Sequence, residues 1–247
     1  MKILFSPSEA KYSGGTNKQI DENSFIFKDL FKYRLEIINK YQNFISKATN
    51  DELAKLFGTK KQNIIDYYKT DILTKPIKKA ISRYDGVAFD YLEYNQLKST
   101  EQNYIDNNVI IFSNLFGPIL AKDNALPEYK LKQGEKLGSF CIEKFYNQHF
   151  SKTLDEYLQN EDILDLRAAF YEKFYKISKP YITMKFIKNG KVVSHFAKAY
   201  RGIILKNLAK NSIKTIDEVL KYKFDNLDII NIEKIKNKQL ITYNIIK

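Results

Sequence analysis

Two runs rich in β-branched and aromatic residues, Ile182–Ile187 and Val192–Phe196, flank the tetrapeptide Lys188-Asn189-Gly190-Lys191. Asn-Gly readily adopts the two positive φ values of a type I′ turn, so this stretch predicts a tight antiparallel hairpin. That prediction constrains the rest. Further strand-like runs, Lys2–Phe5, Val109–Phe112, Ile163–Leu166 and Gln239–Ile245, alternate with helical patterns. Alternation alone suggests parallel strands joined by helical crossovers. With a late hairpin added, the expectation becomes a mixed α/β (α+β) domain around a mixed central sheet.

The first long helix is expected between Phe25 and Ala48, where Phe31, Leu35, Ile38, Tyr41 and Ile45 recur at steps of four and three. That spacing leaves Lys32, Glu36, Asn39 and Lys40 on the solvent side. Other helices are expected over Asp51–Phe57, Lys60–Lys69, Lys75–Ser82, Leu137–Gln148, Thr153–Gln159, Gly202–Ala209 and Thr215–Tyr222. No internal repeat and no Pro/Gly/Ser linker divides the 247 residues, so one compact domain over 1–247 is expected.

The segment 49–69 is more pointed. Thr49 with Glu52, and Thr59 with Gln62, both have capping-box spacing, and Gly58 between them suits a helix C-terminus. The result is a helix–hairpin–helix-like unit whose second helix opens on Lys60 and Lys61, where free N–H groups and lysines together suit phosphate. A plain corner between two helices is the structural alternative.

Charge alone decides less than it suggests. The net charge of +12 favours a phosphate-bearing partner. Yet the chain is rich in Lys, Asn, Ile and Tyr, a skew that AT-rich coding also produces, and many lysines then simply face solvent. Only Arg34, Arg83, Arg167 and Arg201 are arginines, so each is more informative, since Arg offers a planar bidentate fork. No run reaches the ~20 apolar residues needed to span a bilayer, and no membrane partner is expected. Met1–Pro7 is too short for the apolar part of a signal peptide and reads as a first strand. The single Cys141 can form no intrachain disulfide. A cytoplasmic monomer is the expectation.

Many chemistries lack their residues. His149, His195 and Cys141 cannot build a Cys/His metal cluster, and no His-Glu-x-x-His motif occurs. No Gly-rich phosphate loop, dinucleotide fingerprint or nucleophile elbow is present, so no metal or cofactor is expected. Cys141, in an apolar setting, reads as inert filler.

What remains are polar clusters at strand ends, where open α/β sheets build their sites. Strand one runs into Ser6-Pro7-Ser8-Glu9-Ala10-Lys11. The next delivers Ser113-Asn114-Leu115-Phe116-Gly117, followed by Asp123 and Tyr129-Lys130-Leu131. Ile163-Leu164 leads to Asp165-Leu166-Arg167, and the hairpin leads to Ser194-His195, Lys198 and Arg201. Glu9, Asp165, Lys11, Lys130, Arg167, Lys198 and Arg201 are therefore expected to line one charged cleft, supported by Ser6, Ser8, Ser113, Gly117, Asp123, Tyr129 and His195. Lys198 and Arg201, three apart, share a helix face, and His195 reads as an orienting residue.

These same residues carry a family resemblance. Pro7-Ser8-Glu9-Ala10-Lys11 with Gly15, Tyr84-Asp85-Gly86-Val87-Ala88-Phe89, and Ser113-x-Leu115-Phe116-Gly117 with Asp123 appear in order. Pro127-x-Tyr129-Lys130-Leu131 with Gly134, Asp165-Leu166-Arg167-Ala168, and Ser194-His195-Phe196-Ala197-Lys198 with Gly202 follow. Together, over about residues 1–210, they resemble the Pro-Ser-Glu-Gly-Lys branch of the YaaA family of bacterial peroxide-stress proteins. Departures are Lys130 for Arg, Asn114 for Gly, Ala168 for Ser and Ala197 for Asn; the last two remove candidate polar catalysts. The resemblance implies a compact mixed α/β domain with a basic cleft, a helix–hairpin–helix, DNA binding, and a role in limiting peroxide damage linked to intracellular iron.

Three readings stand at this point. In the first, Lys11, Lys60, Lys61, Lys130, Arg167, Lys198 and Arg201 hold the phosphates of nucleic acid, DNA in particular, without strong sequence preference, and Tyr12 and Tyr129 stack on bases. In the second, Glu9 or Asp165 is the acid/base of an enzyme acting on a nucleotide or phosphorylated small molecule, with Lys11, Arg167 and Lys198 orienting the anion. In the third the clusters only fix loops, as a buried Asp165–Arg167 pair would.

Overall fold

The structure, a computed structural model, describes every residue except Gln19 and Lys247 and the side chains of Ser194 and His195. The chain opens with β1 (Lys2–Phe5) and the short β2 (Ala10–Lys11), then a helical stretch of α1 (Phe31–Lys47), α2 (Asn50–Phe57) and α3 (Gln62–Tyr68). Short elements follow: β3 (Ile77–Lys78), α4 (Ala80–Arg83), β4 (Tyr84–Asp85) and α5 (Val87–Leu92). Next come α6 (Ser99–Asn108), β5 (Val109–Ser113), β6 (Gly117–Leu120), β7 (Leu126–Pro127), α7 (Ile142–Leu158) and β8 (Ile163–Leu166). The chain finishes with β9 (Tyr181–Lys188), β10 (Lys191–Val192), α8 (Ser194–Lys210), α9 (Ile216–Lys221), β11 (Leu227–Ile235) and β12 (Lys238–Ile245).

The main sheet is mixed, in the order β11-β12-β9-β8-β1-β5-β6, with β10 paired to β9. The run β12, β9, β8, β1 and β5 is parallel, while the β5–β6, β9–β10 and β11–β12 pairs are antiparallel. Every residue of β5 and β8 is buried, as parallel strands covered on both faces should be. The parallel register carries a consequence for function: Phe5, Ser113 and Leu166 end their strands at one common sheet edge. The polar segments after β1 and β8 start from that edge.

The Asn-Gly hairpin forms as expected, with Asn189 at φ 51° and Gly190 at φ 74° and Lys188 opposite Lys191. Its second strand is much shorter than the run Val192–Phe196 predicts. β10 ends at Val192 and α8 begins at Ser194, with Ala197 N–H donating to the Val193 carbonyl. The helix then runs straight through Gly202, which the sequence suggested as its start. A Cβ at Gly202 would lie 2.0 Å from the Ala88 carbonyl oxygen of α5, so glycine there sets how closely two helices approach.

Other boundaries move for equally local reasons. Along α1 the buried side chains are Arg34, Ile37, Ile38, Tyr41 and Ile45, whereas Leu35 faces outward. Arg34 takes the inner position because its guanidinium donates to the carbonyls of Phe116 and Pro118. Lys75–Ser82 is not a helix: past Pro76 the chain pairs as β3 with β7, and α4 starts only at Ala80. The two helices expected between Leu137 and Gln159 are the single 17-residue α7. Neither α5, α6, β6 nor β11 was anticipated.

Candidate functional site

The segment after β1 is held on both sides. Ser6 Oγ accepts the Ala168 N–H at 2.8 Å, tying the exit of β1 to that of β8. Ser8 lies against Gly86 so closely that a Cβ there would meet its hydroxyl at 2.6 Å, and Gly86 has φ 141°. Glu9 is exposed, and its Oε1 accepts the Gln133 N–H at 3.0 Å. Lys11 then pairs with Tyr84 in the small β2–β4 ribbon.

This ribbon aims the Lys11 amine into an aromatic cage. Nζ lies 3.8 Å from the centre of the Tyr129 ring and 5.5 Å from that of Tyr84. It donates only weakly to backbone, at 3.3 Å to the Ser8 carbonyl and 3.2 Å to that of Glu9. Burial, reinforced by the nearby Lys130 ammonium, pushes the Lys11 pKa down to about 7 despite Glu9 and Glu128. Glu128 cannot come closer as a counter-ion, because its oxygens accept the Tyr68 hydroxyl at 2.6 Å and the Tyr67 hydroxyl at 2.8 Å.

The cage itself is fixed from the end of β5. The Ser113 and Tyr129 hydroxyls are 2.7 Å apart, and Ser113 Oγ accepts the Phe116 N–H at 3.0 Å. Asn114 donates to the Leu131 carbonyl at 3.1 Å and accepts the Tyr171 hydroxyl at 2.9 Å. Tyr41 of α1 donates to the Lys130 carbonyl at 2.8 Å. Gly117 at φ 67° ends this turn where a Cβ would strike the Tyr146 ring. Tyr129 is 1% exposed, so it forms the floor of the cage and is not free to stack on a base; Tyr12 is half-exposed.

Beside it, at the exit of β8, Asp165 and Arg167 form a closed pair. Arg167 Nε donates to Asp165 Oδ1 at 2.8 Å and Nη2 to Oδ2 at 2.9 Å, while the Arg167 N–H also reaches Oδ1 at 3.0 Å. Nη1 serves the carbonyls of Tyr171 and Tyr175, and the guanidinium lies 4.4 Å from the Phe112 ring centre. Both residues are buried. Both Asp165 oxygens are thus engaged by Arg167, which favours a structural role for this carboxylate over one as acid or base. Arg167 in turn has no fork left for phosphate. Arg83 is spent likewise on the carbonyls of Tyr12, Gly14, Pro76 and Leu126, and buried Arg34 gives Nη1 and Nη2 to the carbonyls of Phe116 and Pro118 and keeps an unpaired Nε in the core.

Arg201 is the exception among the arginines. It is half-buried on α8 close to the Asp165 charge, which supports its protonated form against burial. Among the described residues it makes no hydrogen bond or ion pair. Lys198 is exposed one turn earlier on the same helix. The side chain of His195 lies outside the described residues. Asp123 does not join this edge. It sits beyond the far end of β6, where Oδ2 accepts the Leu120 N–H at 2.9 Å and the Ile26 N–H at 3.4 Å. Burial raises its pKa to about 6, and it fixes a turn.

The helix pair over 49–69 is fastened directly to the cage. Thr49 and Glu52 form their capping box and Gly58 ends α2 at φ 65°. The second box does not form: Thr59 Oγ1 accepts the Lys61 N–H at 3.3 Å, and α3 starts at Gln62. Lys132 N–H donates to the Leu56 carbonyl at 2.8 Å, next to the Gln133 that holds Glu9. From α3, Tyr67 and Tyr68 clamp Glu128, and the Tyr68 ring lies 5.8 Å from the Lys130 ammonium. Lys60 and Lys61 are exposed on this unit. The sequence reading missed Tyr84 as a cage wall, Glu128, and both α3 tyrosines. Tyr84 stood within a quoted motif; Glu128, between Pro127 and Tyr129, carried no signal of its own.

Among the described residues no group of three or more His, Cys, Asp or Glu is placed to hold a metal ion, and no helix is long and apolar enough to cross a membrane. The family model for the peroxide stress protein YaaA matches residues 1–231. An uncharacterized protein of Campylobacter jejuni is 54% identical over 233 residues, covering 94% of each chain. UPF0246 proteins of Fusobacterium nucleatum and Corynebacterium glutamicum are 29% and 31% identical, covering 93% and 89% of this chain and 93% and 90% of theirs.

Proposed function

The chain belongs to the peroxide stress protein YaaA family, and from that premise we propose that it binds DNA in the cytoplasm as part of the oxidative-stress response. It grips phosphates along the common sheet edge without strong sequence preference. The observation that carries this reading is the attachment of the 49–69 helix pair to the cage strand through Lys132, Glu128 and Tyr68. That attachment joins the exposed Lys60 and Lys61 to Lys130 and the Glu9–Lys11 corner. On the other side Arg201, which has no protein partner among the described residues, and Lys198 extend the basic surface along α8.

The cations suited to phosphate are therefore Lys60, Lys61, Lys130, Lys198 and Arg201. Each bound phosphate releases condensed counterions, so affinity should fall steeply with salt. The helix α8 that carries Lys198 and Arg201 is packed on α5 at Gly202, which favours binding by backbone and shape over reading of base edges. Titration of labelled duplex and branched DNA by fluorescence anisotropy tests the reading. We expect binding at 50 mM salt that weakens at least tenfold by 200 mM, with little change on scrambling the sequence; absence of binding at 50 mM would refute it.

A further inference from the structure

We propose that the Lys11 amine is the nucleophile of an imine-forming site, and that its substrate is an aldehyde carried by nucleic acid, the ring-opened sugar of an abasic site. The substrate class rests on the DNA-binding reading above. The nucleophile rests on geometry. A lysine meant to hold phosphate keeps its ammonium in water or against a carboxylate, and Lys11 does neither. Its backbone is fixed by pairing with Tyr84, and its Nζ is caged by the Tyr84 and Tyr129 rings.

Every charged group facing it from the neighbouring segments bears on this. Lys130, beside Tyr129, and Arg83, beside Tyr84, disfavour the ammonium. Glu9, on its own segment, and Glu128, across the cage, favour it, but Glu9 is engaged by the Gln133 N–H and Glu128 by two tyrosine hydroxyls. With a pKa near 7, about half of the amine is neutral at pH 7; an ordinary lysine is neutral there only about once in several thousand. A neutral amine in a desolvated aromatic setting is the form that attacks carbonyls.

The step balances without any further reagent. The Nζ lone pair attacks the aldehyde carbon, a C–N bond forms as the carbonyl π bond opens, and one amine proton passes to the new alkoxide. The resulting carbinolamine hydroxyl takes up a proton and leaves as water. A protonated imine remains, which water reverses to the free amine and aldehyde. Exposed Glu9, whose Oε2 has no partner among the described residues, stands beside this chemistry to relay the proton. The phosphates flanking an abasic sugar would fall to Lys130 and to Lys60 and Lys61 on the attached helix pair.

The test uses the full chain with a labelled duplex bearing one abasic site and the same duplex intact. Sodium cyanoborohydride reduces a protonated imine to a stable C–N bond, and adducts are read on denaturing gels and mapped by mass spectrometry. We expect an adduct with the abasic duplex only, mapped to Lys11, and at least a hundredfold less from Lys11→Arg, whose fold is checked by circular dichroism. The trapping rate should rise with pH and level off just above pH 7. Adduct mapped to the Met1 amine or another lysine, full trapping by Lys11→Arg, or a rate still climbing past pH 9 would overturn the proposal. So would the absence of adduct. If the intact duplex still binds by anisotropy in that case, the DNA-binding reading survives alone; if it does not, both fall.

Discussion

Two corners of the same sheet edge were equally promising as sequence, and they are built on opposite plans. At the exit of β8, Asp165 and Arg167 satisfy each other in a bidentate pair, and the remaining donors of Arg167 go to backbone carbonyls. Past β1, Lys11 is caged by rings, faces other cations, and has two weak backbone contacts. A charged side chain whose bonds are all made inside the protein holds the fold. One held in place with its bonding capacity unspent is available to a ligand. The distinction lies in partners, not in residue type.

The contrast breaks most sharply at Arg167. Replacing it with Met leaves the Asp165 carboxylate buried and unpaired, which should cost about 3–5 kcal/mol in urea unfolding. If Arg167→Met costs under about 1 kcal/mol, that corner is not the structural member of the pair. Ser113→Ala comes next. It takes the acceptor from the Phe116 N–H and the partner from the Tyr129 hydroxyl, so about 1–3 kcal/mol should be lost, and trapping at Lys11 should fall because the cage floor loosens. Thr49→Ala removes the α2 cap and should cost about 1 kcal/mol by thermal melting.

Lys11→Met is read by its pH dependence and not by a loss at one pH. The folded pKa of about 7 lies below that of an unfolded lysine. Between pH 7 and the unfolded value the unfolded chain binds more protons, so the Lys11 contribution grows more favourable as pH rises. Stability of wild type minus that of Lys11→Met should therefore climb from pH 7 towards 10. A flat or falling difference would place the amine in an ordinary ammonium setting.

How much of this was legible in the sequence follows from what each signal depends on. The hairpin at Asn189-Gly190, the Thr49 cap and the strands β1, β5, β8 and β12 were readable because turn chemistry and apolar runs are local. The helix α8 was misread at its start because β-branched Val192 and Val193 sit at a strand end, and only packing on α5 explains Gly202. Convergence of the Ser6, Ser113 and Asp165 segments was legible through strand ends. Which charges are spent was not. The Asp165–Arg167 pair stood among the alternatives, as a loop-fixing pair, but that Asp123 caps a turn elsewhere and that Tyr129 is a buried floor are facts of tertiary contact that no spacing reports.

The central claim is that the common sheet edge, and not the overall charge of +12, holds nucleic acid. Two double variants with the same net charge separate these. Lys198→Gln with Arg201→Gln removes the two α8 cations from the edge. Lys122→Gln with Lys234→Gln removes equal charge from exposed positions, one past the far end of β6 and one where β11 pairs Lys234 with Gln239, level with the start of β9. Duplex affinity measured by anisotropy from 50 to 200 mM salt should drop about tenfold for the edge variant, with the log–log salt slope shallower by about 2, and should stay within about twofold of wild type for the other. Equal losses in both variants would contradict the account.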